Sequence, residues 1–159
     1  MRDRRSTVQR VSPVVLILSG VLLVAGCTLA VPLGPLPTAG DDAATLVIIR
    51  PARFAACGTQ AIVAIDDIPV AALGNDEHVA LRVAPGARIV GIGYNSPFFG
   101  RPTSTDDYAA TTVDAVARTT QYFRLEPNVH VARLNPMTPA AAQALLATTR
   151  EVSGRPGSE

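Results

Sequence analysis

Few side chains in this sequence are of the types that perform catalysis or bind metals. The chain contains two cysteines, Cys27 and Cys57, and two histidines, His78 and His130. A cysteine nucleophile needs a neighbouring base to form the thiolate, and no motif links either histidine to Cys57. Two histidines without a nearby cysteine also make a poor zinc site. Every basic residue is an arginine, so mechanisms that require a lysine amine are excluded.

Three pairs of adjacent aspartates are the other candidates for acid-base chemistry or calcium binding. They lie at residues 41–42, 66–67 and 106–107. Neighbouring residues of a strand point to opposite faces of a sheet, and all three pairs stand where turns are expected. We therefore predict that these aspartates form turns rather than a catalytic or metal site.

The N-terminal residues have the pattern of an export signal. Four arginines before residue 11 precede an apolar run at residues 14–25, and the sequence Leu-Val-Ala-Gly-Cys closes the run at residues 23–27. The run is about a dozen residues long, shorter than the ~20 needed to span a bilayer. The segment resembles a bacterial lipoprotein signal peptide with its lipobox. That resemblance implies cleavage after Gly26, a diacylglycerol thioether on Cys27 and acylation of the new amine. An uncleaved signal anchor is the alternative.

The residue after the modified cysteine bears on the choice of membrane. In lipoproteins of two-membrane bacteria an aspartate there commonly retains the protein in the inner membrane, and this chain has Thr28. We therefore predict a lipid-anchored cell-envelope protein that is sorted to the outer membrane in such a host. No cofactor or metal is expected beyond the lipid on Cys27. With that sulfur alkylated no intramolecular disulfide can form, and Cys57 is predicted to be a small buried thiol.

The charge of the chain argues against a nucleic-acid partner. The whole chain has a net charge of +1, and removal of residues 1–26 leaves ten arginines against twelve aspartates and glutamates. A near-neutral domain offers no basic stripe that follows a phosphate backbone. The remaining length suits one domain with its own core.

The chain after residue 26 divides into three parts. Residues 27–43 hold the modified cysteine and a Pro- and Gly-rich tether, residues 44–150 form the folded domain, and residues 151–159 form a disordered tail. Strand-like segments in the domain occupy residues 45–50, 61–66, 68–73, 78–83, 87–94, 108–117, 119–126 and 129–134. Their spacing predicts a mainly β fold, a small antiparallel β-sandwich of about seven strands.

Alternation along these segments predicts which side chains face the core. The predicted core contains Val79, Leu81, Val83, Val90, Ile92, Tyr94, Phe123 and Leu125. His78 falls on the face opposite Val79, so we predict a surface imidazole, and the same holds for His130. A C-terminal helix is predicted to begin with Thr138 as its N-cap and Pro139 at its first position, and to end near residue 150. Its leucines at 145 or 146 are expected to pack on the outside or an end of the sandwich.

Several segments in fixed order resemble a group of small bacterial lipoproteins that carry an uncharacterised domain. The segments are residues 46–51, 63–67, 70–73, 83–86 and 121–125. That group is similar to PEGA and carboxypeptidase-regulatory-like β-sandwich domains, which implies a noncatalytic module in the cell envelope and supplies no active residues. Such domains usually turn their second hairpin with Asp-Gly. Here Asp67 replaces the glycine, so the turn is expected to form without a residue of positive φ.

Two classes of function follow from these observations. The first is an interaction or structural module that binds an envelope protein, a glycan or a membrane surface through an edge strand or through the loop at residues 95–107. In that loop Phe98 and Phe99 cannot both point inward if the segment is extended. With Arg101 beside them they form a candidate partner contact, and the alternative is that both cover the core. The second class is an envelope hydrolase that combines Cys57 with the two histidines and the acidic turns.

The lipoprotein interpretation makes a prediction about processing. Globomycin, which blocks the lipoprotein signal peptidase, should cause the unprocessed precursor to accumulate, and Cys27→Ala should release the protein from the membrane fraction. Immunoblots of fractionated cells measure both effects. Unchanged processing together with unchanged fractionation would contradict the assignment of Cys27.

Overall fold

The computed structural model describes residues 33–36, 38–54, 58–95, 107–126 and 132–153. The strands are β1 (Ala44–Arg50), β2 (Gln60–Ile65), β3 (Ile68–Leu73), β4 (Glu77–Val83), β5 (Gly86–Asn95), β6 (Ala109–Ala115), β7 (Thr120–Glu126), β8 (Arg133–Met137) and β9 (Arg150–Glu151). One helix, α1 (Pro139–Leu146), lies between β8 and β9. Within the described residues, no helix is long and apolar enough to cross a membrane.

The strands form two sheets that pack face to face. The five-stranded sheet has the order β8-β7-β1-β4-β9, and the four-stranded sheet has the order β3-β2-β5-β6. The predicted mainly β sandwich is therefore confirmed. The five-stranded sheet is mixed rather than purely antiparallel, because β1 pairs in parallel with β7, and β4 pairs in parallel with β9. The four-stranded sheet is antiparallel throughout.

The parallel pair arises where the chain crosses from one sheet to the other. After β6 ends, residues 116–119 turn toward the beginning of β1, and Arg118 donates its backbone N–H to the carbonyls of Asp42 and Ala43. Thr45 in turn donates its N–H to the Thr119 carbonyl at 2.9 Å. Strand β7 therefore starts beside the start of β1, so the two strands run in the same direction.

The core lies between the sheets and is built from alternate residues of each strand. All eight predicted core residues belong to it or pack against it: seven are buried members, and Tyr94 is a partly buried neighbour. Leu46 and Ile48 of β1 add to the core from the middle of the five-stranded sheet. The period of two in β4 and β5 therefore identified the inward faces of these strands.

The helix covers the outer face of the five-stranded sheet. Ala142 is buried against Val47 and Ile49 of β1, and Leu145 and Leu146 pack around the same cluster. The predicted position of these leucines is thus confirmed. Strand β1 is consequently buried on both faces, which accounts for its continuous run of β-branched and leucine side chains.

The predicted N-terminus of the helix is confirmed, but the predicted C-terminus is too late. The Thr138 hydroxyl accepts the backbone N–H of Ala141 at 3.3 Å, and proline occupies the first turn. The helix ends at Leu146 because the Leu145 carbonyl accepts hydrogen bonds from the backbone N–H groups and the hydroxyls of Thr148 and Thr149. The chain then extends into β9, which continues pairing through Glu151, the first residue of the predicted tail.

The turn between β2 and β3 corrects another expectation. Asp66 and Asp67 have φ values of 48° and 68°, so both central residues of this two-residue hairpin lie in the left-handed region. Positive φ at both positions is characteristic of a type I′ turn. Aspartate tolerates this conformation because its short side chain forms local hydrogen bonds. The expectation of a turn without a positive-φ residue was therefore wrong.

Strand β8 begins later and runs further than its predicted segment. The prediction placed a strand at residues 129–134, whereas the structure has β8 at Arg133–Met137. Pro136 lies inside this strand. Because β8 is at the edge of its sheet, a residue without an N–H is tolerated there.

The core assignment predicts the effect of shortening Leu81, which is fully buried. Leu81→Ala should lower the free energy of unfolding by about 2–5 kcal/mol, because it removes apolar contacts and leaves a cavity. Urea unfolding measures this change. Ile89→Ala is a suitable control because Ile89 on β5 is 44% exposed. Equal unfolding midpoints for the two variants would show that the core face of β4 is misassigned.

Candidate functional site

His78 is buried, so the prediction of a surface imidazole was wrong. It lies on the predicted face of β4, but the segment after α1 covers it: Val152 donates its N–H to the His78 carbonyl at 2.8 Å. The ring Nδ1 is 2.8 Å from the hydroxyl oxygen of Thr149, which also donates to the Leu145 carbonyl at 3.0 Å. This contact is a hydrogen bond whose direction is set by the tautomer of the ring. His78 thus ties β4 to the end of the helix.

The structure does not bring the predicted hydrolase residues together within the part of the chain that it describes. The Asp66–Asp67 turn lies at the end of the sandwich where β1 begins, whereas His78 lies near the opposite end. In the described residues no group of three or more His, Cys, Asp or Glu side chains is placed to hold a metal ion. Several predicted site residues lie outside the described residues, namely Gly26, Cys27, Cys57, Phe98, Phe99, Arg101 and His130.

A buried arginine, which the sequence interpretation did not single out, joins the two sheets. Arg50 at the end of β1 has 0% exposure. Its Nη1 donates to the carbonyl of Thr59 at 2.9 Å and to the carbonyl of Leu73, at the end of β3, at 2.7 Å. A buried charge is tolerated when it is hydrogen-bonded in this way. The available signal in the sequence is an arginine at the end of a β-branched run, directly before Pro51.

Other polar groups surround this arginine. Glu77 is opposite Arg50 in the β1–β4 register, and its carboxylate accepts hydrogen bonds from the Gly74 N–H at 2.6 Å and from Arg150. Burial raises the pKa of the Tyr94 hydroxyl, and the positive charge of Arg50 offsets part of that increase. Tyr94 is therefore a neutral phenol near pH 7. This cluster fastens strand ends together, so we assign it a structural role.

The edges of the two sheets differ in how they are protected. Isolated edge strands invite pairing with other chains, and proteins commonly block them with proline, with short strands or with covering segments. Edge strand β8 contains Pro136, and β9 has only two residues. Edge strand β3 contains Pro69, whose carbonyl accepts the N–H of Gly34 at 2.7 Å. Edge strand β6 is seven residues long and contains no proline.

The direction of the backbone groups of β6 follows from its partner strand. Both backbone polar groups of Ile89 are hydrogen-bonded to Asp66. The Asp66 N–H donates to the Ile89 carbonyl at 2.9 Å, and the Asp66 carboxylate accepts the Ile89 N–H at 3.0 Å. Ile89 therefore points its backbone away from β6, where it is opposite Thr112. In an antiparallel pair this makes Thr112 a non-hydrogen-bonded partner. Its N–H and carbonyl consequently point to the open edge, as do those of Ala110 and Asp114.

One side chain from the other sheet covers the C-terminal end of this edge. Gln121 of β7 donates from Nε2 to the Asp114 carbonyl at 2.9 Å and accepts the Val116 N–H at 3.2 Å. Among the described residues, the outward backbone groups of Ala110 and Thr112 have no hydrogen-bond partner. The open part of the edge thus comprises the residues of β6 that precede Asp114.

A cleft of about 450 Å³ lies between this edge and the larger sheet. Its walls include Thr111 and Val113 from β6, and Phe123, Leu134 and Pro136 from β7 and β8. Strand β6 packs against β1, while β7 and β8 continue beyond it in the five-stranded sheet. The cleft is the space left because the four-stranded sheet ends before its partner does. The sequence did not predict this site, since periodicity shows the faces of strands but not their order in a sheet.

The fold and the site together define a two-sheet β-sandwich with one open edge strand beside an interlayer cleft. Comparison with known proteins adds no relative: no protein-family model, no curated protein and no solved structure matches this chain.

The buried position of Arg50 predicts a large loss of stability on its removal. Arg50→Leu should lower the free energy of unfolding by about 3 kcal/mol or more, because the carbonyls of Thr59 and Leu73 lose a charged donor. Arg133→Leu provides the control, since Arg133 is exposed on β8. Chemical denaturation of both variants measures the difference. A loss for Arg50→Leu no greater than that of the control would exclude Arg50 as the connection between the sheets.

Proposed function

We propose that this protein is a lipid-anchored, noncatalytic module of the bacterial cell envelope that binds a partner at the open edge of its four-stranded sheet. The single observation that carries the proposal is the unblocked strand β6 beside the cleft. Within the part of the chain that the structure describes, the outward N–H and carbonyl groups of Ala110 and Thr112 have no hydrogen-bond partner. The other sheet edges there carry proline, are very short or are covered.

The lipobox at residues 23–27 supports the envelope part of the proposal. A lipid on Cys27 would hold the domain at a membrane, and Thr28 favours the outer membrane in a two-membrane host. The predicted tether contacts the domain before β1 begins, since Gly34 donates its N–H to the Pro69 carbonyl and Leu36 packs against the core. A second contact with the partner is still predicted at Phe98, Phe99 and Arg101.

The hydrolase alternative has no comparable support from the described residues. His78 is buried, and its Nδ1 is engaged with the Thr149 hydroxyl. The acidic turn at Asp66 uses its carboxylate to fix β5, accepting the Ile89 N–H and pairing with Arg88 at 2.9 Å. These side chains have structural duties at separate ends of the sandwich.

Site-specific photocrosslinking in intact cells tests the proposed function. A photoreactive phenylalanine derivative at Thr112 should give a discrete crosslinked product, whereas the same probe at Asp67, an exposed turn residue at another edge, should not. Combining the Thr112 probe with Cys27→Ala should remove the product, because the unanchored protein no longer meets its partner at the membrane. Absence of any product at Thr112 would contradict binding at this edge.

A further inference from the structure

We infer that the open position beside β6 receives a single extended segment of a partner protein, which adds to the four-stranded sheet as a further strand. The inference rests on the proposed function and specifies the kind of partner. It follows from three properties of the cleft: the direction of the free backbone groups, the width of the opening, and the chemistry of its walls.

The backbone groups of β6 have the spacing that an added strand requires. Ala110 and Thr112 are two residues apart, and each presents both its N–H and its carbonyl to the same side. A neighbouring antiparallel strand forms its close hydrogen-bonded pairs at alternate residues, with both bonds exchanged at each pair. An extended peptide therefore satisfies all four groups, as in other complexes formed by strand addition.

The residues that line the cleft determine which peptide side chains fit there. One side of an added strand would face Phe123, Leu134 and Pro136, which line the cleft from the five-stranded sheet. Alternate residues of the peptide would therefore be apolar, and the residues between them would face outward beside Thr112. Asp114 is the charged residue among those that line the cleft. A basic residue near that end of the segment is therefore favoured over an acidic one.

The width of the opening favours a single segment over a second copy of this domain. Strand β6 packs against β1, and β7 and β8 follow β1 in the larger sheet at a spacing of about 4.8 Å per strand. If a second copy paired antiparallel through its own β6, its β7 and β8 would project into the space already occupied by those of the first copy. One unattached strand meets no such obstacle, so we commit to a linear tail or linker of a partner protein.

Binding of a defined peptide to the full chain in detergent micelles tests the inference. The probe is fluorescein-labelled Lys-Thr-Val-Thr-Val-Thr-Val, which has alternating apolar residues and a basic end. Fluorescence anisotropy should show saturable binding, and hydrogen exchange should show slower exchange of the Ala110 and Thr112 amides with the peptide present. The same peptide with N-methyl groups on alternate amides, placed to remove its bonds to β6, should not bind.

Two substitutions at one position separate the backbone contribution from other effects. Thr112→Pro removes the outward N–H without breaking a bond to β5, since proline is tolerated where the N–H of an edge strand faces outward. It should weaken peptide binding by about tenfold or more, the equivalent of a lost hydrogen bond with a buried acceptor left unpaired. Thr112→Val keeps the N–H and should bind as the unchanged protein does. If Thr112→Pro does not fold, Thr111→Arg replaces it, because its longer side chain would occupy the cleft.

The outcomes distinguish this inference from the proposed function. No saturable peptide binding, or equal binding by the unchanged protein, Thr112→Pro and Thr111→Arg, would overturn strand addition at β6. A crosslink from Thr112 in cells without peptide binding would leave the proposed interaction module in place and overturn the extended segment. Failure of both experiments would overturn both.

Discussion

Strand β1 is enclosed on every side, and the rest of the molecule is arranged around that constraint. It pairs with β4 on one side and β7 on the other, its inner face supplies Leu46 and Ile48 to the core, and its outer face lies under α1. At its end Arg50 reaches the opposite sheet and donates to the Leu73 carbonyl. A strand in this position must be apolar on both faces, and a buried charge at its end needs hydrogen-bonding partners. The sequence of Ala44–Arg50 supplies the apolar faces, and Arg50 donates to the carbonyls of Thr59 and Leu73.

The crossover that makes β7 a neighbour of β1 also creates the open edge. Because β7 and then β8 add to the larger sheet, the smaller sheet ends at β6 among the residues that the structure describes. Gln121 covers only the C-terminal end of the β6 edge, through its hydrogen bonds to Asp114 and Val116. The cleft is thus a consequence of chain topology, and it does not require any unusual residue to form it.

The sequence predicted the core face correctly in strands that have one buried face and one solvent-exposed face. In β4 the alternation of Val79, Leu81 and Val83 with more polar residues identified the core face correctly, because burial of one face imposes a period of two. The burial of His78 was not predictable from that period, since it depends on a short strand and a helix end that arrive from about seventy residues later in the chain. The role of Arg50 has the same origin, because its acceptors at Thr59 and Leu73 belong to other elements.

The candidate site was harder to predict for a different physical reason. Strand order depends on which hydrogen-bonding edges meet, and the side chains of β6, Ala-Ala-Thr-Thr-Val-Asp-Ala, carry little information about that choice. What the sequence does show, once the order is known, is the absence of edge protection. Strand β8 has Pro136 and β3 has Pro69, whereas β6 has two threonines and a single charge.

An unprotected edge strand is an aggregation liability, because its free backbone groups can pair with other chains. Here the overhang of β7 and β8 limits that liability, because it obstructs pairing between two folded copies while leaving room for one linear segment. Proline in β6 would have removed the same risk at the cost of the backbone groups that a ligand needs. The combination of an unblocked strand and an obstructed approach among the described residues is what our proposal of selective binding of an extended peptide requires.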